Sequence, residues 1–147
     1  MTRISSTAMI RRPPEVVFDY VTTPGNWPAW HPSSLSVTGA TDHPLDVGEE
    51  CTEHFRIAGR EGDVVWRVTK REAPHLWVIT GQLASGTGGG TITYTLAPVE
   101  SGTRFEREFV YTMPSPLLKV LDFLVVRRRI QAESAQAVRQ LQARLQT

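Results

Sequence analysis

Two charged residues interrupt apolar faces of predicted strands. Glu53 shares its face of the segment Glu49–Ile57 with cysteine, phenylalanine and isoleucine, and Arg107 shares its face of Thr103–Thr112 with phenylalanine and tyrosine. A lone buried charge is costly, so such a group is usually paired or in contact with water. We expect both residues to point into a cavity as its polar groups, paired directly or through water. The alternative is a bulge that shifts the register and places them on the surface.

His31 and Tyr111 are the other candidate acid–base groups. His31 follows two tryptophans and could act as a general base or as a hydrogen-bond donor to a ligand. The commoner role of such a histidine is to cap local backbone or to lie at the surface. The remaining histidines form no HxH or HExxH pattern, so the sequence predicts no metal site.

Large side chains supply candidate ligand contacts. They combine apolar area with a few polar groups, and they would serve equally well as ordinary core. A sheet covered by one helix leaves space that they need not fill. The predicted ligand-binding residues are Trp27, Trp30, Phe55, Trp66, Trp77, Ile79, Tyr94, Phe105, Phe109, Leu121 and Leu124.

Cys51 and the glycine-rich segment Ser85–Gly90 carry little chemistry. Cys51 is the only cysteine, and it lies on a predicted inner face without a basic partner, so we interpret it as a small buried apolar residue. The glycine-rich segment is not followed by GK[ST] and therefore predicts a hairpin loop rather than a phosphate site.

The order of helices and strands is predicted from changes in the spacing of apolar residues along the chain. Residues 3–11 predict a strand, Pro14–Val21 a short helix, and Asn26–Pro32 a helical turn or ordered loop. Alternation then predicts strands at Ser33–Thr38, Glu49–Ile57, Val64–Arg71, Leu76–Leu83, Thr91–Leu96 and Thr103–Thr112.

The last third of the chain predicts one long helix of about residues 115–145. Pro116 suits its first turn, and no proline or glycine follows. Its predicted buried face consists of Ile130, Ser134, Ala137, Val138, Leu141 and Leu145. The sequence therefore predicts an α+β helix-grip fold, in which a curved antiparallel sheet of about six or seven strands wraps around the C-terminal helix.

Composition limits the class of protein. A chain of 147 residues suits a single domain spanning residues 1–147, and a net charge of +1 gives no argument for nucleic-acid binding. No run of about 18 apolar residues is present, so no membrane span is predicted and a cytoplasmic location is the default.

Four segments together resemble the polyketide cyclase/dehydrase branch of the START-like (SRPBCC, Bet v 1-like) superfamily. They are Arg12–Val21, Asn26–Pro32, Asp46–Glu49 and the terminal helix Pro114–Leu145. The resemblance implies a cavity between the sheet and the C-terminal helix, with Trp27, Trp30 and His31 close to it.

Two functions remain open at this point. The first is binding of a small hydrophobic molecule, lipid-like or aromatic, without a cofactor. The second is a cyclase/dehydrase reaction in which Glu53, His31 or Tyr111 supplies acid–base chemistry and Arg107 stabilises negative charge. Binding is favoured because the sequence contains no clear acid–base constellation. The sequence leaves open whether the protein forms a homodimer.

Overall fold

The computed structural model describes residues 2–57, 59–84, 86, 88–112 and 125–146. Its elements are β1 (Thr2–Ile10), α1 (Pro14–Val21), a 3₁₀ turn (Pro24–Asn26), α2 (Trp27–Trp30), β2 (Ser34–Gly39), β3 (Glu50–Ile57), β4 (Arg60–Glu72), β5 (Leu76–Leu83), β6 (Gly89–Val99), β7 (Gly102–Thr112) and α3 (Arg127–Gln146). The seven strands form one antiparallel sheet in the order β1-β7-β6-β5-β4-β3-β2. The predicted α+β helix-grip fold, with short helices after the first strand, is confirmed.

Helices α1 and α2 cover one end of the sheet. Helix α1 begins with Pro14, which suits a first turn because proline lacks an N–H, and it buries Val17, Phe18 and Val21. Trp27 of α2 then donates a hydrogen bond from its indole to the carbonyl oxygen of Val21, at 2.9 Å. This bond joins the two short helices and fixes the tryptophan turn over the sheet.

Helix α3 confirms the predicted amphipathic face. All six predicted residues of that face, from Ile130 to Leu145, are buried. The helix packs on β1 and α2. The earlier part of the predicted helix, including Leu121 and Leu124, lies outside the described residues.

Two glycine-bearing connections are shorter than glycine content indicates. Gly59 and Gly62 are typical of a turn, but β4 already begins at Arg60 and Gly62 pairs with Phe55 across the β3–β4 ladder. The predicted loop at 85–90 likewise ends earlier, because Gly90 pairs with both Gly81 and Tyr111. Glycine has a low intrinsic preference for strands. Gly62 and Gly90 adopt strand conformation here because neighbouring strands pair with them.

The register of the sheet decides the orientation of the two inward charges. Register shifts occur between Ser34 and Ser36 and between Val68 and Lys70. No shift occurs at Glu53 or Arg107, each of which stays in continuous pairing with its neighbours. The bulge alternative is therefore wrong for both residues.

Candidate functional site

A cavity of about 590 Å³ lies between the sheet and the described part of α3. Its walls come from strands β3 to β7, from α2 and from the first turns of α3. A volume of this size is typical of small-molecule sites, which are concave and mostly apolar.

Most of the predicted ligand-binding residues line the cavity. They are Trp27, Trp30, Phe55, Trp66, Ile79, Tyr94 and Phe109. Trp77 and Phe105 are not among the lining residues. Both are completely buried behind Tyr94, with ring centroids 5.3 and 5.2 Å from that of the tyrosine. They hold the wall in place and do not face the space inside it.

Further lining residues were not singled out from sequence. Val64 and Ile92 share strand faces with Trp66 and Tyr94, so the alternation along their strands carries a signal for them. Ser134 lies on the predicted buried face of the helix, whereas Ser33 carries no such signal, because small polar residues occur at surfaces as readily as at cavity walls.

Glu53 lies in the cavity wall and is half-buried. Its Oε1 accepts a hydrogen bond from the indole nitrogen of Trp66, at 3.1 Å. Burial raises the pKa of Glu53 above its ordinary value, and the more distant charge of Arg107 opposes that shift. The carboxyl group is therefore easier to keep protonated than one in water.

Arg107 is only 5% exposed and also lines the cavity. One terminal nitrogen donates to the hydroxyl of Ser134 at 3.2 Å, and the guanidinium lies 5.7 Å from the ring centroid of Phe109. Its Nε has no hydrogen-bond partner within the described part of the chain. Arg107 forms no ion pair with any described residue, so the predicted direct pairing with Glu53 does not occur.

His31 is held by its own loop. Its Nδ1 accepts a hydrogen bond from the backbone N–H of Ser33 at 3.1 Å. Burial lowers the pKa of His31 well below its ordinary value, and the nearby charge of Arg107 lowers it further. The ring is therefore neutral with its proton on Nε2, and this buried donor has no partner among residues 2–57, 59–84, 86, 88–112 and 125–146.

Two tyrosines complete the polar part of the lining. Tyr94 lies opposite Arg107 in the β6–β7 register. Burial raises the pKa of Tyr94, so its hydroxyl stays protonated at neutral pH. Tyr111 is buried at the cavity wall and stacks on Phe109, with ring centroids 5.0 Å apart.

Comparison with known protein families identifies the family of this chain. The model of the family described as polyketide cyclase / dehydrase and lipid transport matches residues 1–146. The chain belongs to this family. A search of curated proteins finds no match.

Solved structures share the fold of this polyketide cyclase/dehydrase family member. A protein from Chromobacterium violaceum is 18% identical, with a TM-score of 0.76 over 100% of this chain and 99% of that one. A Rhodobacter sphaeroides protein is 25% identical, with a TM-score of 0.72 over 98% and 91%. The Aha1 dimer from Colwellia psychrerythraea is 20% identical, with a TM-score of 0.64 over 99% and 97%.

Gly81 allows Trp66 to pack closely against β5 in the cavity wall. Gly81 pairs with Trp66 across β4 and β5. A Cβ atom at Gly81 would lie 2.5 Å from Cε3 of Trp66 and 2.8 Å from a methyl group of Val64. The missing side chain thus lets the indole of Trp66 lie against β5, where it presents its nitrogen to Glu53.

Three residues that carry charge border the cavity near the β3–β4 turn. They are Arg60, Glu61 and Asp63, all on β4. His54, on the outside of β3, contacts Asp63 at 2.8 Å and Glu61 at 2.9 Å. These contacts hold the carboxylates of Glu61 and Asp63 on the outer face of the sheet, away from the cavity.

Other candidate chemistry is not supported within the described residues. Cys51 is buried, and burial raises the pKa of its thiol to about 12, so the nucleophilic thiolate is scarce. Among residues 2–57, 59–84, 86, 88–112 and 125–146, no three His, Cys, Asp or Glu side chains form a group that could hold a metal ion. No helix in the same part of the chain is long and apolar enough to cross a membrane.

Proposed function

We propose that the protein binds a small hydrophobic molecule, lipid-like or aromatic, in the cavity between the sheet and α3. The observation that carries this proposal is the cavity of about 590 Å³, whose lining is mainly aromatic and aliphatic. Burying apolar ligand surface contributes roughly 25 cal/mol per Å², so such a wall can supply the affinity. The aromatic cluster behind Tyr94 supports the wall, which reduces the cost of ordering it on binding.

Native mass spectrometry of freshly purified protein tests whether a ligand copurifies. A bound molecule would appear as a discrete mass above that of the chain and would disappear under denaturing conditions. Where none copurifies, displacement of a fluorescent apolar probe measures binding directly.

A pair of variants on β4 locates the binding space. Val64 is 4% exposed and lines the cavity, whereas Val65, on the other face of the strand, is 37% exposed. We expect Val64→Phe to weaken probe binding about tenfold, which corresponds to about 1.4 kcal/mol, because the larger ring occupies ligand space.

The matched control is Val65→Phe, which adds the same ring outside the cavity and should leave binding unchanged. Circular dichroism and thermal unfolding verify that both variants fold. Equal binding by the two variants would contradict the proposed location.

A second candidate function is a cyclase/dehydrase reaction. The carboxyl of Glu53 and the guanidinium of Arg107 line one cavity, and partial removal from water raises the pKa of Glu53. A protonated carboxyl can donate a proton to a departing hydroxyl, and a cation can stabilise an enolate oxygen.

Glu53→Gln separates the two candidates. Glutamine keeps an acceptor for the indole of Trp66 and cannot transfer a proton. If the protein is an enzyme, we expect the variant to lose at least about a hundredfold in the rate of ring closure or water loss from a poly-β-ketone substrate. Probe affinity should change little. No reaction in the unmodified protein would exclude this candidate for the substrate tested.

The cellular setting is a separate prediction. We expect a cytoplasmic protein, and its sequence leaves open whether it forms a homodimer. The solved dimer of Aha1 from Colwellia psychrerythraea motivates a test of self-association in solution.

A further inference from the structure

Three buried hydrogen-bond donors lie in one wall of the cavity. The Nε of Arg107, the Nε2 of His31 and the Nε1 of Trp30 are all buried and have no hydrogen-bond partner among the residues that the structure describes. All three residues line the cavity. Leaving a buried donor unpaired costs free energy, so a site with several such donors is suited to a ligand that brings acceptors.

The donors occupy one region of the wall. His31 follows Trp30 directly, and their ring centroids lie 5.9 Å apart. The guanidinium of Arg107 is near enough to His31 to act on its charge. Trp30 also contacts Tyr94, which lies opposite Arg107 in the sheet register. Donors from β7 and α2 therefore converge around Tyr94.

The positive charge of Arg107 also favours an anionic ligand. Arg107 is 5% exposed and forms no ion pair with any described residue. Its side-chain hydrogen bonds go to the neutral hydroxyls of Ser134 and Tyr94, so neither partner neutralises its charge. A desolvated guanidinium binds carboxylates well because its planar N–H groups match both carboxylate oxygens.

We infer that the ligand is a hydrophobic carboxylate whose charged end binds Arg107 and His31, while its apolar part lies along the aromatic wall. This inference rests on the proposed function and specifies its ligand class. Glu53 lies on β3, four strands from β7 in the sheet. Its carboxylate therefore does not pair directly with Arg107, and that side of the cavity stays cationic.

Decanoate and 1-decanol provide a matched pair of probes, because they share chain length and differ in the charged end. Calorimetry at about pH 8 keeps decanoate ionised. We expect the protein to bind decanoate at least about tenfold more tightly than 1-decanol. Equal affinities would overturn the carboxylate inference and leave apolar binding intact, whereas binding of neither compound would overturn both.

Arg107→Met tests the proposed anchor. Methionine keeps a long unbranched side chain and removes the charge. We therefore expect the variant to bind decanoate and 1-decanol about equally well, with its affinity for 1-decanol unchanged. Arg104→Met is the control, because Arg104 is exposed on the same strand and should leave the preference intact. A preference that persists in a folded Arg107→Met protein would overturn the assignment.

A measurement on the unmodified protein does not depend on the folding of any variant. In nitrogen-15 NMR, the Nε2–H signal of His31 should shift on addition of decanoate and stay in place with 1-decanol. No shift with saturating decanoate would exclude His31 from the subsite.

Discussion

His31 and His54 have the same ordinary pKa and opposite surroundings. His31 lies in the cavity wall, where burial and Arg107 lower its pKa. His54 lies at the surface, where hydrogen bonds to Asp63 and Glu61 raise its pKa. The two residues therefore contribute to stability in opposite directions as pH changes, since each favours a different protonation state when folded.

The pH dependence of unfolding isolates His31. Below about pH 6.5 the unfolded state binds a proton at this residue that the folded state resists, so the free energy of unfolding decreases as pH falls. We expect His31→Phe to reduce this decrease, because the phenyl ring can keep the contact with Trp30 without titrating. Urea unfolding between about pH 7.5 and 5 measures the difference.

His75→Phe is the matched substitution control for that experiment. His75 is exposed and lies in the turn between β4 and β5, so this variant makes the same exchange outside the cavity wall. Parallel pH profiles for the unmodified protein and His31→Phe would show that His31 does not titrate differently in the two states.

At the scale of elements, the pairing of β4 with β5 sets the width of the cavity. The close approach of Trp66 to Gly81 depends on the missing side chain. Alternation predicted that Trp66 points inward, since that requires only the period of one strand. It did not predict the need for glycine, which arises from a neighbour in another strand.

Gly81→Ala tests this close packing. The added methyl group would clash with both Trp66 and Val64, so we expect a loss of about 1–3 kcal/mol in the free energy of unfolding. Denaturant unfolding measures the loss. The accompanying shift of Trp66 should also change its intrinsic fluorescence, whereas Gly48→Ala, at a position with open space around the added atom but a φ of +90°, should leave Trp66 fluorescence unchanged.

At the scale of the whole molecule, the fold was more predictable than the extent of the cavity. The spacing of apolar residues identified α1, the strands and the buried face of α3, because apolar residues fall on the side of each element that is covered. It did not separate Trp77 and Phe105 from the true lining. These two rings are covered by Trp27 and Trp30 of α2, a contact between distant parts of the chain.

The continuous register at Glu53 and Arg107 has a consequence for how this chain can diversify. Side chains alternate between the two faces of a strand, so deleting one residue within β3 or β7 would turn the following inward residues outward. Point substitutions can change the charge, size or polarity of the lining one position at a time. Descendants of this sequence can therefore acquire new ligands by substitution, while changes of strand length would exchange the cavity lining for surface.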